Sequence, residues 1–209
     1  MSPAGIKKLL ILIYTAGLIG LSLPDLRSYF LPLTPYTLWF TGIVCLYYYP
    51  IKNIKTYSGF ALFFIAAWLV EVVGVATGKL FGVYQYGPVL GFKLANVPLV
   101  IGMNWLILLI CTNAVVEEWN VGGFFGKAAL GAGLMTFLDV FIEPVAMSYD
   151  FWNWQFDKVP VQNFAAWWLV SFVFHFAYQQ LELPQKSSLY RLIALLQFIF
   201  FVGLVIVGN

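Results

Sequence analysis

Long apolar runs recur almost from end to end of this chain, and they restrict the folds that it can adopt. Each run is long enough to cross the ~30 Å hydrocarbon core of a membrane as a helix. The runs are continuous, whereas the strands of a membrane barrel alternate between apolar and polar residues. Hydrophobic residues make up 62% of the 209 residues and charged residues only 10%, which excludes an ordinary soluble globular protein. We predict an all-α fold, a polytopic membrane helix bundle.

About seven transmembrane helices are predicted, separated by polar or Pro/Gly-rich breaks. Their approximate bounds are 8–23, 33–49, 58–78, 97–116, 126–146, 162–181 and 189–207. We expect them to form a single integral membrane domain over residues 1–209. No cleavable signal peptide is expected, because the first run leads into Pro24-Asp25 without a small-residue cleavage pattern. Cys45 and Cys111 lie in predicted spans without CxxC or His neighbours, so we predict buried thiols.

Basic residues in the connections predict the orientation of the chain. Seven fall on one side and four on the other. The larger group is Lys7, Lys8, Lys52, Lys55, Lys127, Lys186 and Arg191, and the smaller group is Arg27, Lys79, Lys93 and Lys158. We therefore predict a multi-pass protein of the cell membrane with its N-terminus in the cytoplasm and its C-terminus outside. The net charge of +2 is too small to suggest nucleic acid as a partner.

Three acidic residues lie inside predicted spans, at Glu71, Asp139 and Glu143. A charge at the bilayer centre costs on the order of 2.5–3.5 kcal/mol, so such residues usually face the bundle interior and serve a function. Glu71, Asp139 and Asn104 lie about two turns from the same end of their spans, roughly 10 Å deep. Glu143 follows one turn after Asp139 on the same helical face. The sequence therefore predicts a polar site at one level of the membrane, with interhelical hydrogen bonding alone as the alternative.

The bundle interior offers no basic residue to neutralise these acids. Without a cationic partner, at least one carboxyl is expected to remain protonated near neutral pH. A neutral carboxylic acid in an apolar pocket is a proton donor, which is what chemistry on a hydrocarbon double bond requires.

Two stretches of the chain share a pattern of an acid, an aromatic loop, a Val-Pro pair and a tryptophan. They run from Glu71 to Trp105 and from Asp139 to Trp167. In register, the pattern matches Glu71 with Asp139, Tyr84 with Trp152, Tyr86 with Trp154 and Trp105 with Trp167. We predict an internal parallel repeat that brings the acids and the aromatic loops to equivalent places. The rings either anchor the loops at the membrane interface or contact a ligand.

Several classes of site are absent from the sequence. His175 is the single histidine, so we predict an interhelical hydrogen bond for it and no metal site. There is no GxxxxGK[ST], HExxH or GxSxG motif. The last predicted span has no lysine that could form the Schiff base of a retinal protein.

Two blocks of the sequence resemble the integral-membrane carotenoid biosynthesis family, which includes the carotenoid 1,2-hydratases. The blocks cover about residues 67–170, and the joint pattern is more specific than either block alone. The first comprises EVVG at 71–74, FGVYQY at 81–86, Val97-Pro98 and Trp105, and the second comprises DVFIEPVA at 139–146, WNW at 152–154 and VPVQNF at 159–164.

The resemblance implies cofactor-free hydration of the terminal C1–C2 double bond of a ψ-ended carotene, such as lycopene or γ-carotene. A carboxylic acid protonates C2, a tertiary carbocation forms at C1, and water adds. For the proton donor the resemblance implies Asp139 or Glu71, with Glu143 and Asn104 orienting water. The aromatic residues implied in substrate binding and cation stabilisation are Tyr84, Tyr86, Trp105, Trp152 and Trp154. The substrate dissolves in the lipid bilayer, so a lateral entrance between helices is expected.

Three other functions are compatible with the sequence. A cyclase of the lycopene type would form the same cation and capture it with an internal double bond. A proton-coupled carrier would use the acids as its coupling site. A non-catalytic membrane protein would bind carotenoid without changing it.

Overall fold

The computed structural model describes residues 1–119 and 121–207, which fold into a helix bundle with four short strands at one end. The helices are α1 (Pro3–Ser22), α2 (Pro24–Phe30), α3 (Thr34–Tyr47), α4 (Ile54–Thr77), α5 (Leu99–Trp119), α6 (Phe124–Ser148), α7 (Val161–Gln180) and α8 (Ser188–Val207). The strands are β1 (Tyr84–Tyr86), β2 (Lys93–Leu94), β3 (Val97–Pro98) and β4 (Trp152–Trp154). The predicted all-α bundle is confirmed.

The N-terminal part of the bundle differs in detail from the prediction. The sequence predicts a break over residues 24–27, whereas α1 ends at Ser22 and α2 begins at Pro24. Proline is tolerated in the first turn of a helix because its missing N–H has no intrahelical partner there. A 3₁₀ turn at Leu31–Leu33 joins α2 to α3, so Pro24–Tyr47 forms one nearly continuous helical stretch.

Six helical stretches among the described residues are long and apolar enough to cross a membrane. The remaining long helix, α7, has 20 residues but is less apolar. It carries Asn163, Ser171, His175 and Gln179 on its buried side, and these polar side chains lower its hydropathy. The chain is therefore a multi-pass helical protein in which α7 contributes polar groups to the interior.

Contacts between helix ends show the relative directions of the helices. Lys7 at the start of α1 donates to the Ser188 hydroxyl at the start of α8, over 2.7 Å. Glu182, just after α7, lies 3.7 Å from Lys55 at the start of α4. Because α1 and α8 begin at the same end, they run in the same direction, as seven successive crossings require.

The central helix of the bundle is α5, which packs against α3, α4, α6, α7 and α8. It is buried over most of its surface, as expected of a helix without a lipid-facing side. Gly102 allows α4 to approach, because a Cβ atom at this position would lie 2.7 Å from the Phe64 carbonyl oxygen. Cys45 and Cys111 are buried free thiols, as predicted.

Candidate active site

The two aromatic loops meet in an antiparallel pair of strands, β1 and β4. Tyr84 faces Trp154 and Tyr86 faces Trp152 across the pair. Side chains alternate along a strand, so these four rings point to the same buried side, and the central Gln85 points outward. The ring centroids of Tyr84 and Trp154 are 4.8 Å apart. The pair therefore forms an aromatic cap over the helix ends that carry the acids.

Glu71, in the last two turns of α4, accepts hydrogen bonds from three aromatic side chains and is 3% exposed. Its Oε2 accepts from the hydroxyls of Tyr84 and Tyr86, at 2.5 and 2.8 Å. Its Oε1 accepts from the indole N–H of Trp105 at 3.0 Å. These three donors satisfy both oxygens of a carboxyl that would otherwise be costly to bury.

The glycine one turn after Glu71 makes this arrangement sterically feasible. A Cβ atom at Gly74 would lie 2.6 Å from the Phe81 ring and 2.9 Å from the Tyr84 hydroxyl. Gly78 ends α4 in a left-handed conformation, with φ of 61°, as is common after a helix C-terminus. The loop then folds back over α4 and brings Tyr84 to Glu71.

The tyrosine hydroxyls of β1 remain protonated donors. Burial raises the pKa of Tyr84 and of Tyr86 well above the usual range. A tyrosine hydroxyl can also accept a hydrogen bond, so the partners of Glu71 Oε2 suit either protonation state of this carboxyl.

Glu143, near the end of α6, has a matching set of partners and is 2% exposed. Its Oε2 accepts from the indole N–H groups of Trp152 and Trp154, at 3.0 and 2.6 Å. Its Oε1 accepts from the Asn163 amide at 3.0 Å. The indole and amide N–H groups only donate, so this set of contacts favours the carboxylate form of Glu143.

Asp139 lies one turn deeper in α6 and is 0% exposed. Its Oδ2 accepts from the same Asn163 amide at 3.0 Å, and its Oδ1 has no hydrogen-bond partner among the described residues. Asn163 therefore links Asp139 to Glu143 across the α6–α7 interface. Asp139 lines neither of the two cavities described below.

The hydrogen bonds correct one part of the predicted repeat. In sequence register Glu71 matches Asp139, but Glu143 is the acid that binds the aromatic strand of its own half, as Glu71 does. The register is wrong by one helical turn because the connection is shorter in the second half. Thirteen positions separate Glu71 from Tyr84, and nine separate Glu143 from Trp152. Trp105 and Trp167 do match, and they stack with ring centroids 4.1 Å apart.

A small cavity of about 20 Å³ lies between the two acids and includes Asn104 in its lining. We call it the acid pocket. Its wall contains Glu71, Glu143, Asn163 and the aromatic residues of β1 and β4. A polar site of this size has room for about one water molecule. The acid pocket is far too small for a hydrocarbon chain.

A larger cavity of about 250 Å³ lies beside the acid pocket, among α1, α3, α5, α6 and α8. We call it the apolar cavity. Ile101, Asn104 and Trp152 line both cavities and form the boundary between them. The Asn104 amide has no hydrogen-bond partner among the described residues. It is therefore free to bind a group in either cavity.

Some residues of the site were not assigned a role from the sequence. Asn163 connects two acids, and Trp167 stacks on Trp105. A signal for both existed, because buried Asn163, Trp167, Ser171, His175 and Gln179 recur at every fourth position and so share one face of α7. Gln197 and Tyr14, which line the apolar cavity, stand in apolar runs without such a signal.

His175 lies outside both cavities, in the interface of α7 with α5 and α6. Its Nδ1–H donates to the Ser171 carbonyl at 2.8 Å, so its Nε2 accepts from the Thr112 hydroxyl of α5 at 2.9 Å. The predicted interhelical hydrogen bond is confirmed. Among residues 1–119 and 121–207, no group of three His, Cys, Asp or Glu residues could hold a metal ion.

The fold and the site define a class of protein: a multi-pass membrane helix bundle with capped carboxyl groups beside an apolar cavity. The chain belongs to the carotenoid biosynthesis protein family, whose model matches residues 34–209. The match begins at the first residue of α3 and includes both acids, both aromatic strands and α7. No curated protein and no solved structure matches the chain.

Proposed function

We propose that this protein hydrates the terminal C1–C2 double bond of a ψ-ended carotene. The observation that carries the proposal is the position of two fully hydrogen-bonded carboxyls, Glu71 and Glu143, in a pocket that adjoins a larger cavity with a mostly apolar lining. Membership in a carotenoid biosynthesis family makes a carotenoid the natural ligand of that cavity. A water molecule takes up ~30 Å³, so the apolar cavity, at about 250 Å³, is several times larger and has room for one end of a long polyene.

In the proposed reaction Glu71 is the proton donor. Its tyrosine partners can donate or accept, so they support the carboxyl before and after it loses its proton. The π electrons of the C1–C2 bond form the new C2–H bond, which leaves a tertiary cation at C1. A lone pair of water forms the C1–O bond, and the surplus proton of the added water returns to a carboxylate of the acid pocket. The acid is thereby restored, and no cofactor is consumed.

Glu143 is proposed to stay ionised and to stabilise the cation. All three of its partners are donors, and a fixed negative charge beside a developing positive charge lowers the barrier. The faces of Tyr84, Trp152 and Trp154 add cation–π attraction. Asn104, at the boundary of the cavities, is proposed to orient the end group or water. Asp139 is proposed to act through Asn163, because it does not line the cavities.

The membrane placement belongs to this proposal. With the larger group of basic residues in the cytoplasm, the N-terminus is cytoplasmic and the aromatic strands lie near the outer surface of the cell membrane. The carotene enters sideways from the lipid, and the acids then act near the outer leaflet.

The experiment is expression of the chain in cells that make lycopene or γ-carotene, followed by mass analysis of the pigments. A pigment heavier by one water molecule is expected from the wild type. Glu71→Gln and Glu143→Gln should lower its yield by on the order of 10²–10⁴, the usual contribution of general acid–base groups. Glu182→Gln, at a side chain that is 85% exposed, is the matched control and should behave as wild type. Pigment of unchanged mass but altered absorption would instead indicate cyclisation.

A further inference from the structure

We propose that Gln197 and Tyr14 hold the water molecule that adds to the cation, at the inner end of the apolar cavity. This inference rests on the proposed hydration and names a second polar site for it, separate from the acid pocket.

Gln197 is a buried amide whose oxygen has no hydrogen-bond partner among residues 1–119 and 121–207. It lies in the middle of α8, is 2% exposed, and lines the apolar cavity. Its Oε1 is fully buried and has no hydrogen-bond partner among the described residues. Buried polar groups in folded proteins nearly always have partners. An unpaired amide in the lining of a mostly apolar cavity therefore indicates a ligand with an O–H or N–H group.

Tyr14 places a second polar group at the same level. It also lines the cavity, and its hydroxyl reaches Thr41 of α3 only at 3.4 Å. The parallel helices α1 and α8 touch where Gly17 meets Phe200, an offset of 183 positions (200 − 17). Tyr14 and Gln197 have the same offset (197 − 14), so they lie at the same level of the two helices, and both line the apolar cavity. A water molecule needs two to four polar partners, and this pair supplies two.

The depth of each group matches the order of the two carbon atoms. Depth is counted here from the helix ends next to the aromatic strands, at ~1.5 Å per residue. Glu143 lies five positions before the end of α6, about 8 Å deep, and Asn104 lies five positions after the start of α5, at a similar depth. Tyr14 lies eight positions before the end of α1, about 12 Å deep by the same rise. An end group whose terminal carbon points towards the deeper part of the apolar cavity presents C2 to the acids and C1 to the deeper pair.

The consequence is a division of labour between the two polar sites. The acid pocket supplies the proton to C2, and the deeper pair presents water to C1. Once the C1–O bond has formed, the surplus proton of the added water returns to a carboxylate of the acid pocket. The Gln197 oxygen accepts a hydrogen from that water and so directs a lone pair of the water oxygen at the cation. Without this water, the cation at C1 is lost in other ways. It releases a proton from a neighbouring carbon to a carboxylate, or an internal double bond attacks it and a ring closes. Both products have the mass of the substrate.

The test is the partition of products in Gln197→Met and Tyr14→Phe variants, made in the pigment-producing cells described above. Gln197→Met removes the amide at similar volume, and Tyr14→Phe removes only the hydroxyl. We expect substrate to be consumed in both variants, with the ratio of hydrated to unhydrated product lowered about tenfold by the loss of one hydrogen bond to water. Leu195→Met, on the exposed side of α8, is the control and should keep the wild-type ratio.

Three results would overturn the inference. One is a ratio of hydrated to unhydrated product that equals the wild-type ratio in both variants. Another is loss of all conversion in variants whose unfolding temperature equals that of the wild type, because that result assigns the pair to substrate binding. The third is a wild type that forms no hydrated pigment, which overturns the proposed function as well. The first two results leave hydration by the wild type intact. Failure of this inference can therefore be distinguished from failure of the proposed function.

Discussion

At the scale of single residues, the kind of hydrogen-bond partner distinguishes the two acids of the site. Glu143 is surrounded by groups that only donate, whereas Glu71 has two hydroxyls that can do both. The sequence predicts both acids inside the bundle, and both are buried in long apolar helices. It does not separate Asp139 from Glu143, because the two share one face of α6. Only the position of β4 decides which of them meets the tryptophans, and that depends on a connection whose length has no periodic pattern.

The Trp154 indole provides a test of this hydrogen bonding that does not depend on catalysis. Trp154→Phe keeps a ring beside Tyr84 but removes the N–H that donates to Glu143 at 2.6 Å. Hydrogen bonds to charged groups contribute about 1.5–3 kcal/mol, so we expect a loss of that size in the free energy of unfolding. The measurement is unfolding in detergent, with Trp168→Phe, on a partly exposed ring, as control. Equal stability of the two variants would contradict the assignment.

At the scale of helices, α6 and α7 are held close by a small residue opposite a polar one. A Cβ atom at Gly131 would lie 2.1 Å from Cδ2 of His175. Gly131→Ala should therefore destabilise the protein by about 1–3 kcal/mol, the usual cost of overpacking. Gly133→Ala on the same helix meets no atom within 4 Å and should be neutral or stabilising by up to about 1 kcal/mol. The comparison of their unfolding temperatures checks this, and the reverse order would show that α6 and α7 pack differently.

The pairing of β1 with β4 was not predicted from the sequence. The repeat places the aromatic loops at equivalent positions, but it does not reveal that they join as antiparallel strands. Gln85 and Asn153 face each other at the centre of the pair. Opposite positions in such a pair have Cα atoms about 4.5–5.5 Å apart, within the range that a disulfide needs.

Crosslinking tests that pairing. A Gln85→Cys/Asn153→Cys variant should form an intramolecular disulfide on mild oxidation, detected by mass spectrometry of a peptide digest. The two single variants are the controls and should remain reduced. A double variant whose thiols both stay reactive would show that the loops are not paired as described.

At the scale of the whole molecule, the sequence predicts the direction of each helix, because apolar runs give the number of crossings and basic residues give the orientation. The helix-end contacts agree with that order of crossings. The content of the apolar cavity was not predictable, since α1, α3, α5, α6 and α8 bring together residues far apart in the chain.

Cysteine labelling tests the orientation. The variants are Ser187→Cys and Asp157→Cys. Ser187 lies before α8 at the end of the bundle that holds Lys7, and Asp157 follows β4 at the opposite end. With Cys45 and Cys111 buried, a membrane-impermeant thiol reagent applied to intact cells should label the cysteine at 157 and leave the cysteine at 187 unlabelled. Inverted membrane vesicles should give the reverse pattern. Labelling of 187 in intact cells would show that the chain is inserted the other way round.

The central claim is that water adds to a carbocation made by a buried acid. The direct measurement is incubation of the purified protein with a ψ-ended carotene in water enriched in heavy oxygen, followed by mass spectrometry of the product. The account predicts a single heavy oxygen in a new hydroxyl group, lost in Glu71→Gln and retained in Glu182→Gln. A product without heavy oxygen, whether a cyclic isomer or unchanged carotene, would contradict it.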